Sequence, residues 1–226
     1  MTERPVAVVM PARNAARYIG EAIASVLGQA GAQPRLVVVD DGSTDETAER
    51  AAAAGARVLR APRNLGKGGA LEGALARLPS VDVVLLLDQD LGDTAAAASS
   101  LLGPVVEGEA DMTIAQLPRD PRHGGFRLVK RLSGWMIRRL CGFPPQEPMS
   151  GQRAVSARAL EAARPLAPGF GVELGMTVDV VRAGMRVVEV PVEMSHAPTG
   201  RDLRGFLHRA RQGRDHVRAA LARVRP

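Results

Sequence analysis

The sequence predicts an α/β fold, in which a mostly parallel sheet is flanked by helices. Runs of consecutive apolar residues, such as 83–87, are typical of strands that are covered on both faces. These runs alternate with helices of about ten residues, which is the order that βαβ units and a parallel sheet require. Ligands bind such sheets at the carboxyl ends of the strands, so the residues that follow each strand are the candidates for function.

The first half of the chain contains four predicted strands, at 6–10, 36–39, 58–59 and 83–87. The first helix has apolar residues at helical spacing, namely Ile19, Ile23, Val26 and Leu27. The pair Ser43 and Glu46 is typical of a capping box and predicts the start of a second helix, which runs toward Gly55. A third helix is predicted over 70–78.

The second half is less regular. It predicts a helix over 95–106 with a kink at Pro104, a strand over 112–116 and a loop over 117–125. A basic amphipathic helix over 126–140 follows, then a strand after the loop at 149–152 and a helix from Ala157. Residues 169–175 open another helix that reaches Arg182. Pro191 indicates that a last strand over 187–192 lies at an edge of the sheet.

The composition limits the classes of function. The chain has 226 residues, a net charge of +6 and 46% apolar residues, which fits one globular domain with a substantial core. Cys141 is the single cysteine, which excludes an intrachain disulfide and a cysteine-based zinc site. No run of 18 apolar residues occurs, so we expect a soluble, cytoplasmic protein, with a peripheral contact at the inner membrane face left open. Aromatic residues are few and no recognition motif occurs, so we expect no nucleic acid as partner.

Polar clusters follow the first four predicted strands. They are Pro11, Ala12, Arg13 and Asn14 after the first, Asp40, Asp41, Gly42 and Ser43 after the second, Lys67 after the third, and Asp88, Gln89 and Asp90 after the fourth. The ends of parallel strands lie on one rim, so these residues can meet. Two carboxylates at alternate positions can bind Mg²⁺ or Mn²⁺ together with substrate phosphates, and a lysine would suit a diphosphate. Taken singly, each cluster has a simpler explanation, such as a solvated acidic turn.

The four clusters resemble, in order and spacing, the motifs of the family-two GT-A glycosyltransferases. The resemblance rests on 8–14, 37–45, 64–68 and 88–90, and it covers most of 5–200. It implies a GT-A (Rossmann-like) fold, a nucleoside-diphosphate-sugar donor, most often UDP- or GDP-linked, and Mg²⁺ or Mn²⁺ as cofactor. On that pattern Asp40 contacts the base, Lys67 lies near the nucleotide, and Asp90 binds the metal with Asp88. Residues 11–14, together with Asp41, Gly42 and Gln89, line the donor.

Three later segments narrow the resemblance to the branch that contains glucosyl-3-phosphoglycerate synthases and polyprenyl-phosphate sugar transferases. They are 171–175, 190–196 and 199–202. The resemblance implies that His196 is a third metal ligand or a diphosphate contact, and that Glu173 faces the sugar or the acceptor hydroxyl. The acceptor-side loop comprises Ser150, Gly151, Gln152 and Arg153. Residues alone explain His196 equally as a surface histidine, and Glu173 as an acid favoured at a helix start.

The predicted reaction moves a hexose from the nucleotide sugar to an acceptor hydroxyl or phosphate. The cation, Lys67 and Arg201 would stabilise the leaving diphosphate. Glu173 would be the general base of an inverting reaction, or would hold the sugar in a retaining one. A small molecule or a polyprenyl phosphate is the expected acceptor, and a homodimer is a further expectation. The alternatives are a sugar-phosphate nucleotidyltransferase and a non-catalytic lipid-surface-binding module on a transferase fold.

These predictions divide the chain into a glycosyltransferase domain over 1–200 and a C-terminal helix over 201–226. The domain has a nucleotide-sugar-binding half, 1–116, and an acceptor-side half, 117–200. The segment 201–225 carries eight arginines with apolar residues at mostly helical spacing, so a basic amphipathic helix is predicted. Such a helix can dock on the domain, lie on anionic lipid or bind nucleic acid, and the last is the least supported.

Overall fold

The computed structural model describes residues 5–29, 35–118, 127–195 and 203–224. They form a seven-stranded sheet in the order β3-β2-β1-β4-β6-β5-β7. The strands are β1 (Val6–Ala12), β2 (Arg35–Asp40), β3 (Arg57–Arg60), β4 (Val83–Leu86), β5 (Met112–Gln116), β6 (Arg153–Ser156) and β7 (Val187–Pro191). The mostly parallel α/β architecture is therefore confirmed, and β7 is an edge strand as Pro191 indicates.

Six of the seven strands run in the same direction, so they end on the same rim of the sheet. β1 pairs parallel with β2 and β4, β2 with β3, and β5 with β7. β6 alone is antiparallel, and it pairs with β4 on one side and β5 on the other. Six strands therefore end on the same rim, and β6 begins there. The start of β6 brings the loop before it to the ends of its neighbours.

Helices cover both faces of the sheet. They are α1 (Ile19–Leu27), α2 (Thr47–Ala53), α3 (Gly66–Leu75), α4 (Gly103–Val106), α5 (Arg127–Cys141), α6 (Ala157–Ala163), α7 (Val172–Arg182) and α8 (Leu203–Leu221), with 3₁₀ segments at Gly92–Leu101 and Gly169–Gly171. The buried side chains of α1 join a core on one face, and those of α3, α6 and α7 join a core on the other. No helix in the described ranges is long and apolar enough to cross a membrane.

Two predicted helix starts are wrong by several residues. α2 begins at Thr47, because the Ser43 hydroxyl accepts a hydrogen bond from the Asn14 backbone N–H at 3.0 Å instead of capping the helix. The Asp45 carboxylate accepts the Thr47 N–H at 3.1 Å in its place. α3 begins at Gly66, so Lys67 lies in the first turn of a helix and not in a loop.

The predicted helix over 95–106 is present as two consecutive helical segments of different type, without the predicted kink inside one helix. Residues Gly92–Leu101 form a 3₁₀ helix, and Pro104 lies in the first turn of α4, where its missing N–H costs nothing, so it does not kink a longer helix. The hydroxyls of Ser99 and Ser100 donate to carbonyls three residues earlier, at 3.1 and 2.7 Å. Serines that hydrogen-bond the local backbone in this way favour the tighter helix.

The C-terminal helix α8 packs on the domain. His216, Ala219 and Ala220 are buried, and the two alanines share a core with Ile137 of α5 and Leu174 of α7. Arg223 forms an ion pair with Asp179 of α7. Of the three interpretations of this segment, docking is the one that the packing supports. Its side chains are described from Ala210 onward.

Candidate active site

The rim carries a buried ion-pair cluster built around Lys67. The Lys67 ammonium Nζ lies 2.5 Å from Oδ1 of Asp88 and 2.7 Å from Oε1 of Glu173. The second oxygen of Asp88, Oδ2, accepts a hydrogen bond from Gln152 Nε2 at 2.7 Å. The end of β4, the first turn of α3, the loop before β6 and the first turn of α7 therefore meet at one point. The sequence predicted Lys67 and Asp88 on one rim and Gln152 in an acceptor-side loop, but did not predict that Lys67 pairs with Glu173.

The cluster has little contact with solvent. The side chains of Lys67, Asp88 and Glu173 are 14%, 22% and 6% exposed. Burial acts to lower the pKa of Lys67, but the two adjacent carboxylates outweigh burial and raise it above its usual value. The lysine is therefore charged at any physiological pH. Removing one member of a buried pair of this kind costs about 3–5 kcal/mol, because it leaves a partner charge buried without compensation.

Two glycines allow the close approach. A Cβ atom at Gly151 would lie 2.3 Å from Lys67 Nζ and 2.7 Å from Asp88 Oδ2, so any side chain there would push the ion pair apart. A Cβ atom at Gly68 would lie 1.9 Å from the carbonyl oxygen of Ala167. Gly68 thus lets α3 pack directly against the segment that leads into α7.

The loops after β1, β2 and β4 are joined by hydrogen bonds. The Arg13 N–H donates to Gln89 Oε1 at 2.6 Å, and the Thr44 N–H donates to Asn14 Oδ1 at 2.9 Å. The Asp40 carboxylate accepts the Ser43 N–H at 2.9 Å. These contacts confirm that the predicted donor-lining clusters after β1, β2 and β4 lie together.

Asp41 links the same rim to α3. It is buried, and its two carboxylate oxygens accept the N–H groups of Leu65 at 2.6 Å and Gly66 at 2.9 Å. Gly42 adopts φ +69°, and a Cβ atom there would lie 2.9 Å from the backbone of Arg63. Asp41 and Gly42 therefore shape the loop that leads to Lys67. Both carboxylate oxygens of Asp41 are used in these backbone hydrogen bonds.

Arg153 is enclosed at the start of β6. Its Nε donates to the Ser150 carbonyl at 2.9 Å and its Nη1 to Thr177 Oγ1 at 3.0 Å. Its Nη2 and Glu173 Oε2 are buried and have no hydrogen-bond partner within the described ranges. Burial lowers the pKa of Arg153 to about 10, although Glu173, Glu189 and Asp88 act in the opposite direction. Arg153 and Glu173 line a small, partly open pocket of about 10 Å³, which is too small for a substrate.

The residues predicted to bind metal are only partly described. Asp90 is half-buried in the turn after β4, and His196 and Arg201 lie outside the described residues. In the described ranges, no group of three His, Cys, Asp or Glu side chains is placed to hold a metal ion. Mg²⁺ needs only one or two carboxylates when substrate phosphates complete its shell. Asp90 therefore fits a cation that binds together with a diphosphate. Both oxygens of Asp88 already accept hydrogen bonds from Lys67 and Gln152, so Asp88 would bind the cation alongside these partners.

Sequence reasoning missed a contribution from α8. The Asp215 carboxylate accepts the Phe170 N–H at 3.2 Å, and a Cβ atom at Gly169 would lie 2.3 Å from Asp215 Oδ2. His216 is buried with Nδ1 at 2.6 Å from Ser133 Oγ, and burial lowers its pKa, so the imidazole is neutral. The pair thus fixes the 169–171 turn that leads directly to Glu173. The signal was a lone acid and a histidine, beside Ala219 and Ala220, on an arginine-rich helix.

The fold and the rim define a general class of protein. It is an α/β protein in which a lysine, carboxylates and helix N-termini lie together at the ends of the strands. A comparison with family models matches residues 7–152 to glycosyl transferase family 2. The chain therefore belongs to glycosyl transferase family 2. Glu173, Asp215 and His216 all lie beyond the matched segment.

Relatives with assigned names are similar over most of the chain. The glucosyl-3-phosphoglycerate synthase of Mycobacterium tuberculosis is 33% identical over 201 residues, which cover 78% of this chain and 60% of the relative. Glycosyltransferase AglJ of Haloferax volcanii is 30% identical over 205 residues, covering 89% of this chain and 66% of that protein. The chain thus spans about 60% of the length of the mycobacterial relatives that it matches.

Solved structures give the same result. The M. tuberculosis synthase in complex with Mn²⁺, UDP-glucose and phosphoglyceric acid has a TM-score of 0.80 and 30% identity, and covers 98% of this chain and 80% of that one. The same enzyme with Mg²⁺ and UDP has a TM-score of 0.79 and 29% identity, and covers 98% and 79%. The GT-A fold is therefore confirmed.

Proposed function

We propose that the chain is a metal-dependent glycosyltransferase that moves glucose from UDP-glucose to phosphoglycerate. The main observation in support is the buried Lys67, which is paired with both Asp88 and Glu173. Asp88 lies within the segment that matches the family model, and Glu173 lies after it. The donor and acceptor are those bound by a structural neighbour with a TM-score of 0.80, and the cation follows from the same neighbours.

We infer the roles of the rim residues from their positions together with the family resemblance. Asp40 receives the base, and the joined loops of 11–14, Gly42 and Gln89 line the nucleotide. Asp90, with Asp88 as a second carboxylate, holds Mg²⁺ or Mn²⁺. His196 and Arg201 lie outside the described residues and are assigned to the diphosphate site from the family resemblance alone. The bound cation neutralises charge on the leaving diphosphate. Lys67 adds a fixed positive charge in a poorly solvated position, where such charges stabilise a developing anion most effectively.

The place of Glu173 argues for a role through Lys67. One oxygen of Glu173 is paired with the lysine, and the other is buried and has no hydrogen-bond partner within the described ranges, so the carboxylate holds the ammonium in position. A base that accepts the proton of an acceptor hydroxyl must reach that hydroxyl. We therefore assign Glu173 and Arg153 as positioning residues, and Ser150, Gly151 and Gln152 as the acceptor-side edge of the site. A GDP-linked donor, a polyprenyl-phosphate acceptor, a homodimer and a membrane contact remain predictions.

The test is a transfer assay on the purified chain with UDP-glucose, 3-phosphoglycerate and Mn²⁺, followed by mass spectrometry of the product. We expect glucosyl phosphoglycerate and free UDP, and loss of both on chelation of the metal. Asp90→Asn should lower turnover and metal-dependent UDP binding by about 100-fold or more. Asp93→Asn, which changes an exposed carboxylate three residues further on, is the matched control and should retain activity.

Two outcomes would contradict the proposal. Release of pyrophosphate from UTP and glucose 1-phosphate would favour the nucleotidyltransferase alternative. UDP binding that does not require Mn²⁺ and is unchanged in Asp90→Asn would contradict the assignment of Asp90 as a metal ligand. Parallel reactions with GDP-glucose, and with polyprenyl phosphate as acceptor, identify a different donor or acceptor on the same site.

A further inference from the structure

The exposed apolar side chains of the protein are concentrated on two helices. In the described ranges seven large apolar residues are exposed, and six of them belong to α5, to α8 or to the turn after it. They are Leu128, Leu132, Trp135, Val217, Leu221 and Val224. Exposed apolar residues that are scattered singly are ordinary, whereas a cluster marks a contact surface. We call these six residues the two-helix face.

The six residues lie on one side of a parallel helix pair. Val129 of α5 packs at Gly213 of α8, and Ser133 contacts His216, so contacts advance together along both helices. On α5 the exposed residues are spaced i, i+4 and i+7, which is one stripe of a helix with 3.6 residues per turn. On α8, Val217 and Leu221 are spaced i and i+4, and Val224 follows in the turn after the helix. The buried residues face the domain from the opposite side. The two stripes therefore flank the seam between the helices and form one outward surface.

The exposed charges of α5 and α8 that border the two-helix face are positive, apart from the Asp215 carboxylate, which is paired with Arg214 at 3.1 Å. Six exposed arginines belong to the same helices, namely Arg131, Arg138, Arg139, Arg211, Arg214 and Arg218. The sequences of α5 and α8 contain one acid, Asp215, and its carboxylate is bound to the Phe170 N–H beneath the helix. Leucine and tryptophan side chains bordered by arginines are the composition of helices that lie in the surface of an anionic membrane.

We propose that the two-helix face binds the surface of an anionic lipid bilayer. Its apolar stripes enter the boundary between headgroups and acyl chains, while the arginines contact lipid phosphates. A second copy of the chain is a poorer occupant, because a two-fold contact would bring the same arginines face to face without an acid between them. The proposal does not depend on the identity of the donor or the acceptor.

Trp135 provides a direct probe, because it is the single tryptophan of the chain and is 62% exposed on the two-helix face. The full chain is mixed with vesicles of phosphatidylcholine, or of phosphatidylcholine and phosphatidylglycerol at about 3:1. We expect co-sedimentation and a blue shift of tryptophan emission with the anionic vesicles only, and brominated lipids should quench the emission. Raising the salt concentration should weaken binding by screening the arginines.

Two pairs of substitutions separate the apolar and electrostatic contributions. Leu128→Gln with Leu221→Gln should lower partitioning more than tenfold, since these side chains are 79% and 65% exposed and available to lipid. Arg138→Gln with Arg139→Gln should lower it roughly twentyfold, because each basic residue contributes about fivefold near an anionic surface. Leu65→Gln, which changes the exposed large apolar residue that the described ranges contain outside the face, should bind like the parent chain.

The proposal is overturned if anionic vesicles at low salt neither sediment the chain nor shift its emission. It is equally overturned if Leu65→Gln loses binding as much as the Leu128 and Leu221 pair does. Light scattering after size-exclusion chromatography covers the remaining case: a parent dimer that the Leu128 and Leu221 changes convert to monomers would assign the face to a second copy. Circular dichroism of each variant shows that the fold is retained.

Discussion

Gly68→Ala tests whether the contact between α3 and the segment before α7 holds the ion-pair cluster together. The added Cβ would lie 1.9 Å from the carbonyl oxygen of Ala167, whereas real Cβ contacts are essentially never shorter than 3.0 Å. The two backbones must therefore separate by about 1 Å. Lys67 is on one of them and Glu173 follows the other, so the 2.7 Å contact between their charges must lengthen as well.

The magnitude follows from three effects. Overpacking of a tight backbone contact costs about 1–3 kcal/mol, and partial loss of the buried pair adds a further cost of about 2 kcal/mol. Alanine gains about 1 kcal/mol over glycine within a helix. The net loss is about 3 kcal/mol in the free energy of unfolding, or roughly 6–12 °C in Tm for a chain of this length.

The assay is urea unfolding and a thermal melt, with UDP binding measured on the same samples. Gly73→Ala is the matched control, because it makes the same change in the same helix and its nearest neighbour is the flexible end of Arg77 at 3.6 Å. We expect the control to gain up to about 1 kcal/mol. Equal stability of the two variants would refute the packing argument. Unaltered UDP-dependent turnover in Gly68→Ala would show that the contact between α3 and the segment before α7 does not affect the active site.

Three further predictions address the groups around Lys67. Glu173→Gln should lower turnover about 100-fold and leave UDP affinity within a factor of about three, because the lysine keeps Asp88 but loses a charge partner; normal kcat would exclude a role in turnover. Asp215→Ala should lower kcat about tenfold, and Asp215→Asn, whose side chain still accepts the Phe170 N–H, should restore it. Asp179→Ala, which removes the ion pair with Arg223 just after α8, should leave kcat unchanged. Burial lowers the pKa of His216 below 6.5, so below that pH the unfolded chain takes up a proton that the folded chain does not, and stability falls as pH drops. Between pH 6.5 and 5.5 the parent should lose more stability than His216→Asn, and parallel curves would contradict a buried neutral imidazole.

The strands and the rim could be predicted because they depend on local pattern. The run 83–87 is apolar throughout and is followed by polar residues, and 112–116 combines apolar residues with Thr113 and Gln116; both runs are shorter than an ordinary helix. The clusters after β1, β2 and β4 then meet because parallel strands end on one rim. The family resemblance, which rests on the same clusters, is confirmed by the match over residues 7–152.

What could not be predicted depends on contacts between distant segments. The capping box at Ser43 failed because Asn14, on another loop, uses the serine hydroxyl. The pairing of Lys67 with Glu173 requires the insertion of antiparallel β6 and the turn held by Asp215, neither of which leaves a periodic signal. The assigned roles of His196 and Arg201 stay predictions, since both residues lie outside the described ranges.

The position of Lys67 has a consequence for how this protein can change over evolution. One of its two carboxylate partners is encoded within the segment shared across the family, and the other is encoded after it. A hybrid gene joined near codon 152 would bring together a lysine and a helix that had not been selected as a pair. The two parts of the chain are therefore expected to be inherited as a unit, even where their sequences diverge at different rates.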